Sequence, residues 1–179
     1  TVGDIPREDY LEEIESFYRK YKLAPSYYIS EVSPKCLKQD LLRANYEQAT
    51  ELYLLANEVK KLKANTSKHK DLQLITSREV TSAWMDAFLS LEAHDQEKPS
   101  SFQAIFDQIQ LNKVFLSLKI EEDIVAVATV ASGRGWGYIS NVVVNEAFRR
   151  QGIATSLFYY IAQWAEKNDT NNVFMQVIS

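Results

Sequence analysis

Five glycines occur in the 179 residues, and four of them, Gly133, Gly135, Gly137 and Gly152, fall in the short stretch 133–152. Gly152 is the one whose surroundings suggest chemistry. It stands between an apolar run with a polar end, 136–144, and an amphipathic stretch, 153–167. A glycine at such a junction adopts backbone angles that other residues avoid and lets the chain approach a ligand closely. The first amides of the next helix have no partner inside the helix. The helix dipole adds partial positive charge at the same end. Such a turn suits an anion, above all a phosphate, and Arg149 and Arg150 bring two full positive charges beside it. The plainer alternative is a strand-to-helix turn with a capping glycine, and Gly152 taken alone favours that alternative. Two common phosphate loops are absent from the sequence, GxxxxGK[ST] and GxGxxG.

Other chemistries have less support. Cys36 is the single cysteine, and both histidines, His69 and His94, fall in polar stretches. A buried or merely tolerated thiol is a better reading of Cys36 than a nucleophile. One cysteine permits no intrachain disulfide, so a reducing, cytoplasmic location is expected. A net charge of −4 and a pI near 5.3 argue against nucleic acid, which needs a basic face. No apolar run approaches the roughly 20 residues needed to span a membrane. No membrane partner and no metal are expected, and residues 1–6 do not resemble a signal peptide.

The elements that must position the turn can be read from periodicity. Residues 8–22 place Leu11, Ile14, Phe17, Tyr18 and Tyr21 on one helical face. Tyr27-Tyr28-Ile29-Ser30 reads as a strand, 35–45 as a short helix and Glu51–Leu55 as a strand. The polar, lysine-rich stretch 60–71 reads as a solvated linker rather than an anion-binding patch. Beyond it come a strand at Leu72–Thr76, a helix from Ser82 to about Glu92 and a helix near Ser101–Gln110. These two helices could roof a substrate pocket, but ordinary packing is the simpler expectation. His94 and Asp95 lie in the polar stretch between them. Strands at Val114–Ile120, Ile124–Val130 and Trp136–Val144 then form an antiparallel meander. A helix over 153–167 and a strand at Val173–Ile178 complete a crossover unit, which sets the last strand parallel to the third.

The run Val142-Val143-Val144-Asn145-Glu146-Ala147-Phe148-Arg149-Arg150-Gln151-Gly152-Ile153-Ala154 resembles the signature of the GNAT N-acetyltransferase superfamily. That signature is a valine-rich strand, a short turn, and [RQ]-x-x-G-x-[GA] opening a helix, filled here by Arg149, Gly152 and Ala154. Gly135-Trp136, Trp164-Ala165-Glu166 and Met175-Gln176-Val177 also sit where the family has similar residues, so the resemblance covers roughly residues 70–179. It implies an α/β (α+β) GNAT fold, a mixed and mostly antiparallel sheet flanked by helices. It also implies acetyl-CoA as co-substrate. Backbone groups of the Val142-Val143-Val144 strand, those of Val142 and Val144 in particular, would bond the pantetheine arm like an added strand. Amides of Arg150, Gln151, Gly152, Ile153, Ala154 and Thr155 would wrap the pyrophosphate, with Arg149 beside them. The thioester would lie where the third and last strands splay apart, and the amine would enter from the other side of that gap.

Acetyl transfer needs a neutral amine, a polarised thioester carbonyl and a proton for the departing thiolate. Relatives often place an acid on the third strand, where this sequence has Ser140 and Asn141, and neither is a base. After the last strand the family continues with a tyrosine-bearing helix and a final strand, and that tyrosine commonly protonates the thiolate. No residue here can be given either role. Residues 1–59 resemble the closing α-β-α-β half of a GNAT repeat without its cofactor motif, which raises the hypothesis that their strand at 51–55 completes the sheet beside the strand at 173–178, in this chain or in a partner. There Leu41-Leu42-Arg43-Ala44-Asn45-Tyr46 falls at a segment like Y-x-x-L-G-F, with Leu41 at the tyrosine. The implied organisation is a partial repeat at 1–59, a linker at 60–71, and an acetyl-CoA-binding domain at 72–179 lacking its final helix and strand. The implied activity is transfer of acetyl to a primary amine of a small molecule or peptide. The alternative is a catalytically degenerate acyl-CoA-binding regulatory module. An unfinished sheet exposes an edge that invites a homodimer.

Overall fold

The computed structural model describes residues 10–93 and 98–178. The chain divides into two compact units, Thr1–Glu51 and Leu52–Ser179.

The first unit contains α1, Tyr10–Lys20, and α2, Leu37–Arg43. Glu12 and Glu13 occupy the first turn of α1, and Arg19 and Lys20 the last, the order that a helix dipole favours. Each helix ends on a left-handed residue, Lys22 with φ 56° and Asn45 with φ 63°. Leu23 N–H then donates to Tyr18 O at 3.1 Å, and Tyr46 N–H to Leu41 O at 3.0 Å. These are the closing bonds of Schellman endings. Tyr10 Oη donates to Asp40 Oδ2 at 3.3 Å and Tyr46 Oη to Glu15 Oε1 at 2.9 Å. The rings of Tyr27 and Tyr46 meet edge-on at 5.2 Å. The strand expected at Tyr27-Tyr28-Ile29-Ser30 does not form. An extended segment needs a neighbour to take its backbone bonds, and this unit has no strand among the described residues.

The second unit is built on one six-stranded sheet. Its elements are β1 (Leu52–Glu58), α3 (Val59–Ala64), β2 (Gln73–Ser77), α4 (Ser82–Leu91), α5 (Pro99–Asp107), β3 (Asn112–Ile120), β4 (Asp123–Gly133), β5 (Trp136–Val144), α6 (Ile153–Lys167) and β6 (Asn172–Ile178). The strand order is β1-β6-β5-β4-β3-β2. Every neighbouring pair is antiparallel except β5 and β6, which run parallel as the crossover requires.

The boundary expected near residue 59 lies instead between Glu51 and Leu52. β1 pairs with β6 along its whole length, from Leu52↔Ile178 to Glu58↔Asn172. Nor is 60–71 a solvated linker. Its first part is helical, because Val59 and Leu62 share a helical face and pack into the core, Val59 being 1% exposed. Lys63 pairs with Glu166 of α6. Ser156 Oγ accepts from His69 N–H at 2.8 Å and donates to Ser67 O at 3.1 Å. The lysines cover these apolar and hydroxyl anchors, which is why the stretch reads as solvated.

Alternation along the strands builds two cores. On β3, Val114, Leu116 and Leu118 face the layer of α3 and α6, where Leu157 and Ile161 are fully buried. Phe115 points the other way, to Trp84, Phe88 and Phe106 of α4 and α5. Trp84 stacks on Phe88 at 5.2 Å and meets Phe115 edge-on at 5.0 Å. Its Nε1–H donates to Leu116 O at 3.0 Å. Such an anchor costs roughly 3–5 kcal/mol to truncate. The two helices pack on this face of the sheet through that aromatic layer.

Candidate functional site

β5 and β6 are bonded through three rungs only, Trp136↔Asn172, Gly137↔Val173 and Tyr138↔Phe174. Beyond them β6 runs on beside β1, and β5 beside β4. The cause is a bulge in β5. Thr129 pairs with Ser140 and Val127 with Val143, so Asn141 and Val142 together oppose Ala128. Asn141 takes φ 53°. An extra residue of this kind bends a strand and sharpens its twist. It also reverses the facing of the residues after it: Ile139 packs toward α6, whereas Val143, four residues on, packs toward α4. Asn145 N–H donates to Val125 O at 2.8 Å, which directs residues 145 and 143 to β4. Alternation then turns the amide groups of Val142 and Val144 into the gap beside β6. Their side chains pack against the α3/α6 core.

The turn beyond β5 is braced from within. Asn145 Oδ1 accepts from Ala147 N–H at 3.0 Å and opens a short 3-10 turn over Glu146–Phe148. Arg149 donates through Nε to Val144 O at 3.4 Å and pairs through Nη1 with Glu146 Oε1 at 3.1 Å. Gln151 Nε2 donates to Ala147 O at 3.1 Å. Arg150 and Gly152 are both left-handed, with φ 62° and 81°. A Cβ on Gly152 would meet nothing within 4 Å, so its backbone angle rather than lack of room calls for glycine. Gly152 caps α6 without a side chain, leaving the first turn of a 15-residue helix to the solvent side. Ile153 is 1% exposed and anchors that turn in the core, while Ala154 and Thr155 are exposed. Sequence treats the two arginines alike, but the fold divides them. Arg149 ties the turn to β5, and Arg150 stands exposed on the left-handed corner.

The opposite side of the gap carries neutral groups. Asn141 Nδ2 donates to Thr129 Oγ1 at 3.1 Å and lies 3.4 Å from Ser140 Oγ. The bulge is not legible in the sequence: Asn141 is an ordinary polar residue in a strand pattern, and only the readiness of asparagine for positive φ hints at it. Ser156, His69 and Asp71 also gather in space. However, Ser156 Oγ bonds the amide of His69 rather than its imidazole and is 1% exposed, so the trio staples a loop. Cys36 is exposed. His94 and Asp95 lie outside the described residues. Among the described residues there is no cluster of metal-ligating side chains, and no helix is long and apolar enough to cross a membrane.

A profile described as the acetyltransferase (GNAT) family matches residues 78–179. Over 178 residues the chain is 29% identical to "Uncharacterized N-acetyltransferase YobR" of Bacillus subtilis (strain 168), covering 99% of this chain and 72% of that protein. Two solved structures share the fold. A functionally unknown conserved protein from Staphylococcus epidermidis ATCC 12228 has a TM-score of 0.64 at 18% identity, covering 95% of this chain and 69% of that one. A GCN5-related N-acetyltransferase from Sphaerobacter thermophilus has a TM-score of 0.71 at 15% identity, covering 94% of this chain and 57% of that one. The chain thus spans a little more than half to about seven-tenths of the length of these relatives. The profile takes in more than half of the residues, including the bulged strand, the left-handed turn and α6, and on that ground the chain belongs to the GNAT family of acetyltransferases, which are acyltransferase enzymes.

Proposed function

We propose that the protein transfers acetyl from acetyl-CoA to a primary amine of a small molecule or peptide. The observation that carries this reading is the bulge at Asn141–Val142, which opens β5 from β6 beside a left-handed turn leading into α6. The pantetheine arm would lie along the gap, bonded by the amide groups of Val142 and Val144. Val143 holds that stretch in place through the α4/α5 core. The pyrophosphate would rest on the backbone of Arg150, Gln151, Gly152, Ile153, Ala154 and Thr155, in the field of the α6 dipole. Arg149 would brace the turn, and Arg150 would add charge.

In the reaction the amine nitrogen attacks the thioester carbonyl carbon. The N–C bond forms, the C–S bond breaks, the sulfur leaves as thiolate, and the proton lost by the amine balances the one the thiol gains. Holding amine and thioester together in one gap supplies much of the rate. A strand amide near Val142 is suited to polarise the carbonyl oxygen. Ser140 and Asn141 can order water but cannot take a proton as a carboxylate would, so on this strand deprotonation falls to water.

Calorimetry of acetyl-CoA binding to the parent chain and to Gly152→Trp tests the reading. The parent should bind in the micromolar range. The indole would enter open space at the turn and should abolish binding without unfolding the chain. Equal binding by both proteins, or none by the parent, would overturn it.

A further inference from the structure

We infer that the acceptor side of the gap is an aromatic platform, Trp136, Tyr138 and Phe174, which selects a primary amine carrying an aromatic or aliphatic group over a polycationic amine. This rests on the acetyl-transfer reading above. The ring centroids of Tyr138 and Phe174 are 5.1 Å apart, and those of Trp136 and Phe174 are 6.1 Å apart. Tyr138↔Phe174 is the last rung before the gap opens, so the platform adjoins the place proposed for the thioester.

Alternation decides which face the rings occupy. Gly137 and Val173, the preceding rung, face the α6 layer and are buried there. A Cβ at Gly137 would come within 3.2 Å of both Thr170 Cγ2 and Val173 Cγ1, so that face is closed to a substrate. Trp136, Tyr138 and Phe174 lie on the other face, where α4 packs on β3, β4 and β5. The aromatic layer under α4 and α5 takes in Phe115, Val127 and Val143 and does not reach the platform. Trp136 is 45% exposed, and Tyr138 and Phe174 are half-buried.

The row of residues across the sheet at this rung is Ala56, Phe174, Tyr138, Ala131 and Lys113. Alanine flanks the two rings on either side, Ala56 exposed beside Phe174 and Ala131 buried beside Tyr138. The one charged member is a cation, Lys113, whose Nζ is held by Phe106 O at 2.9 Å and Ile109 O at 3.2 Å. Beside the row stand the neutral hydrogen-bonding groups of Thr129, Ser140 and Asn141. A polyamine or an aminated sugar would find no carboxylate in this row for its further positive charges, and burying them unpaired is costly. A flat or aliphatic flank finds apolar ring surface, the favourable partner for such a group.

The test is the rate of CoA release with phenethylamine, hexylamine and spermidine as probes, using the full chain, Phe174→Ala and Phe174→Leu. Phenethylamine and hexylamine should exceed spermidine in kcat/KM by about tenfold or more. Phe174→Ala should raise KM for phenethylamine about tenfold with little change in kcat. Phe174→Leu, which keeps apolar volume in the fold, should lose more of its kcat/KM for phenethylamine than for hexylamine. Spermidine as the best acceptor, or an unchanged KM in Phe174→Ala, would overturn the platform. Calorimetry with acetyl-CoA on the same proteins isolates the reading beneath it. Should acetyl-CoA fail to bind, saturation-transfer NMR with phenethylamine alone still decides: a signal lost in Phe174→Ala sustains the platform, and no signal with the parent chain overturns it.

Discussion

Three left-handed residues, Asn141, Arg150 and Gly152, frame the candidate site, and each imposes a separate condition on its side chain. At Gly152 the condition is purely angular, since a Cβ there meets nothing within 4 Å. Gly152→Ala should therefore lower stability by about 1–2 kcal/mol in urea denaturation while leaving acetyl-CoA binding within a few-fold of the parent. Loss of binding in the alanine variant as complete as in Gly152→Trp would show that binding depends on the left-handed angle itself and not on the space a large side chain takes. At Asn141 the angle and the side chain act together, because φ 53° is tolerable for asparagine and the amide reaches Thr129. A β-branched residue is a poor fit to positive φ. Asn141→Val should lose roughly 2–3 kcal/mol and, by straightening the bulge, weaken acetyl-CoA binding. Asn141→Gly should keep the bulge and most of the binding. Denaturation midpoints and calorimetry on the pair would distinguish the angle from the hydrogen bond. The same tolerance appears at Asn45, which takes φ 63° at the glycine position of the Y-x-x-L-G-F resemblance, while Leu41 at the tyrosine position is 4% exposed.

At the scale of elements, the sequence is most legible where contacts are local. The meander β3–β5 has its two turns at left-handed residues, Glu121 in one, Arg134 and Gly135 in the other. The hydrophobic period changes sharply on either side, and β5 and α6 begin and end at the residues expected. Long-range pairing is not legible from periodicity. Nothing in Tyr27-Tyr28-Ile29-Ser30 distinguishes a strand with a partner from one without. For Leu52–Glu58 only the resemblance of residues 1–59 to a closing half repeat points to a partner, and the structure bears that pairing out, with β6 more than a hundred residues later. The lysines of 60–71 conceal a short helix and a loop held by one serine. That loop carries a prediction. Ser156 is buried, and its hydroxyl satisfies the amide of His69 and the carbonyl of Ser67. Ser156→Ala leaves two backbone groups without that partner, which should cost about 1–3 kcal/mol. Hydrogen exchange should quicken at residues 67–70 and in the first turn of α6 before it quickens in β3 or β4. Uniform exchange across the unit would show that the serine does not staple the loop.

At the scale of the molecule, the two units differ in what holds them, and pH should tell them apart. In Thr1–Glu51 hydrogen-bonded tyrosines, Tyr10 to Asp40 and Tyr46 to Glu15, stand beside the buried Leu37 and Leu41. Burial raises the pKa of Tyr46, and its hydrogen bond to Glu15 raises it further. Burial likewise raises Tyr10, with Asp40 adding to the effect, and Tyr27. The ordinary tyrosine value is 10.0. A raised value means that the folded unit holds its phenolic protons more tightly than the unfolded chain does. The stability from these groups is fully present below about pH 10 and is lost as pH rises above it. The core of Leu52–Ser179 is instead aliphatic and aromatic, and all three tryptophans, Trp84, Trp136 and Trp164, belong to that unit. Tryptophan emission therefore follows the second unit, while the absorbance of ionised tyrosine is weighted to the first. On raising the pH from about 10 to about 12, a window that starts at the ordinary tyrosine value, circular dichroism and tyrosinate absorbance should show the first unit unfolding while the wavelength of tryptophan emission stays near its neutral value. Tyr46→Phe removes the proton that the unfolded chain would lose. Its stability at neutral pH falls with the bond to Glu15, yet the slope of its stability against pH above that value should flatten. A red shift of tryptophan emission in step with the tyrosine signal, or a slope unchanged in Tyr46→Phe, would mean that alkaline sensitivity does not reside in the tyrosine contacts of the first unit.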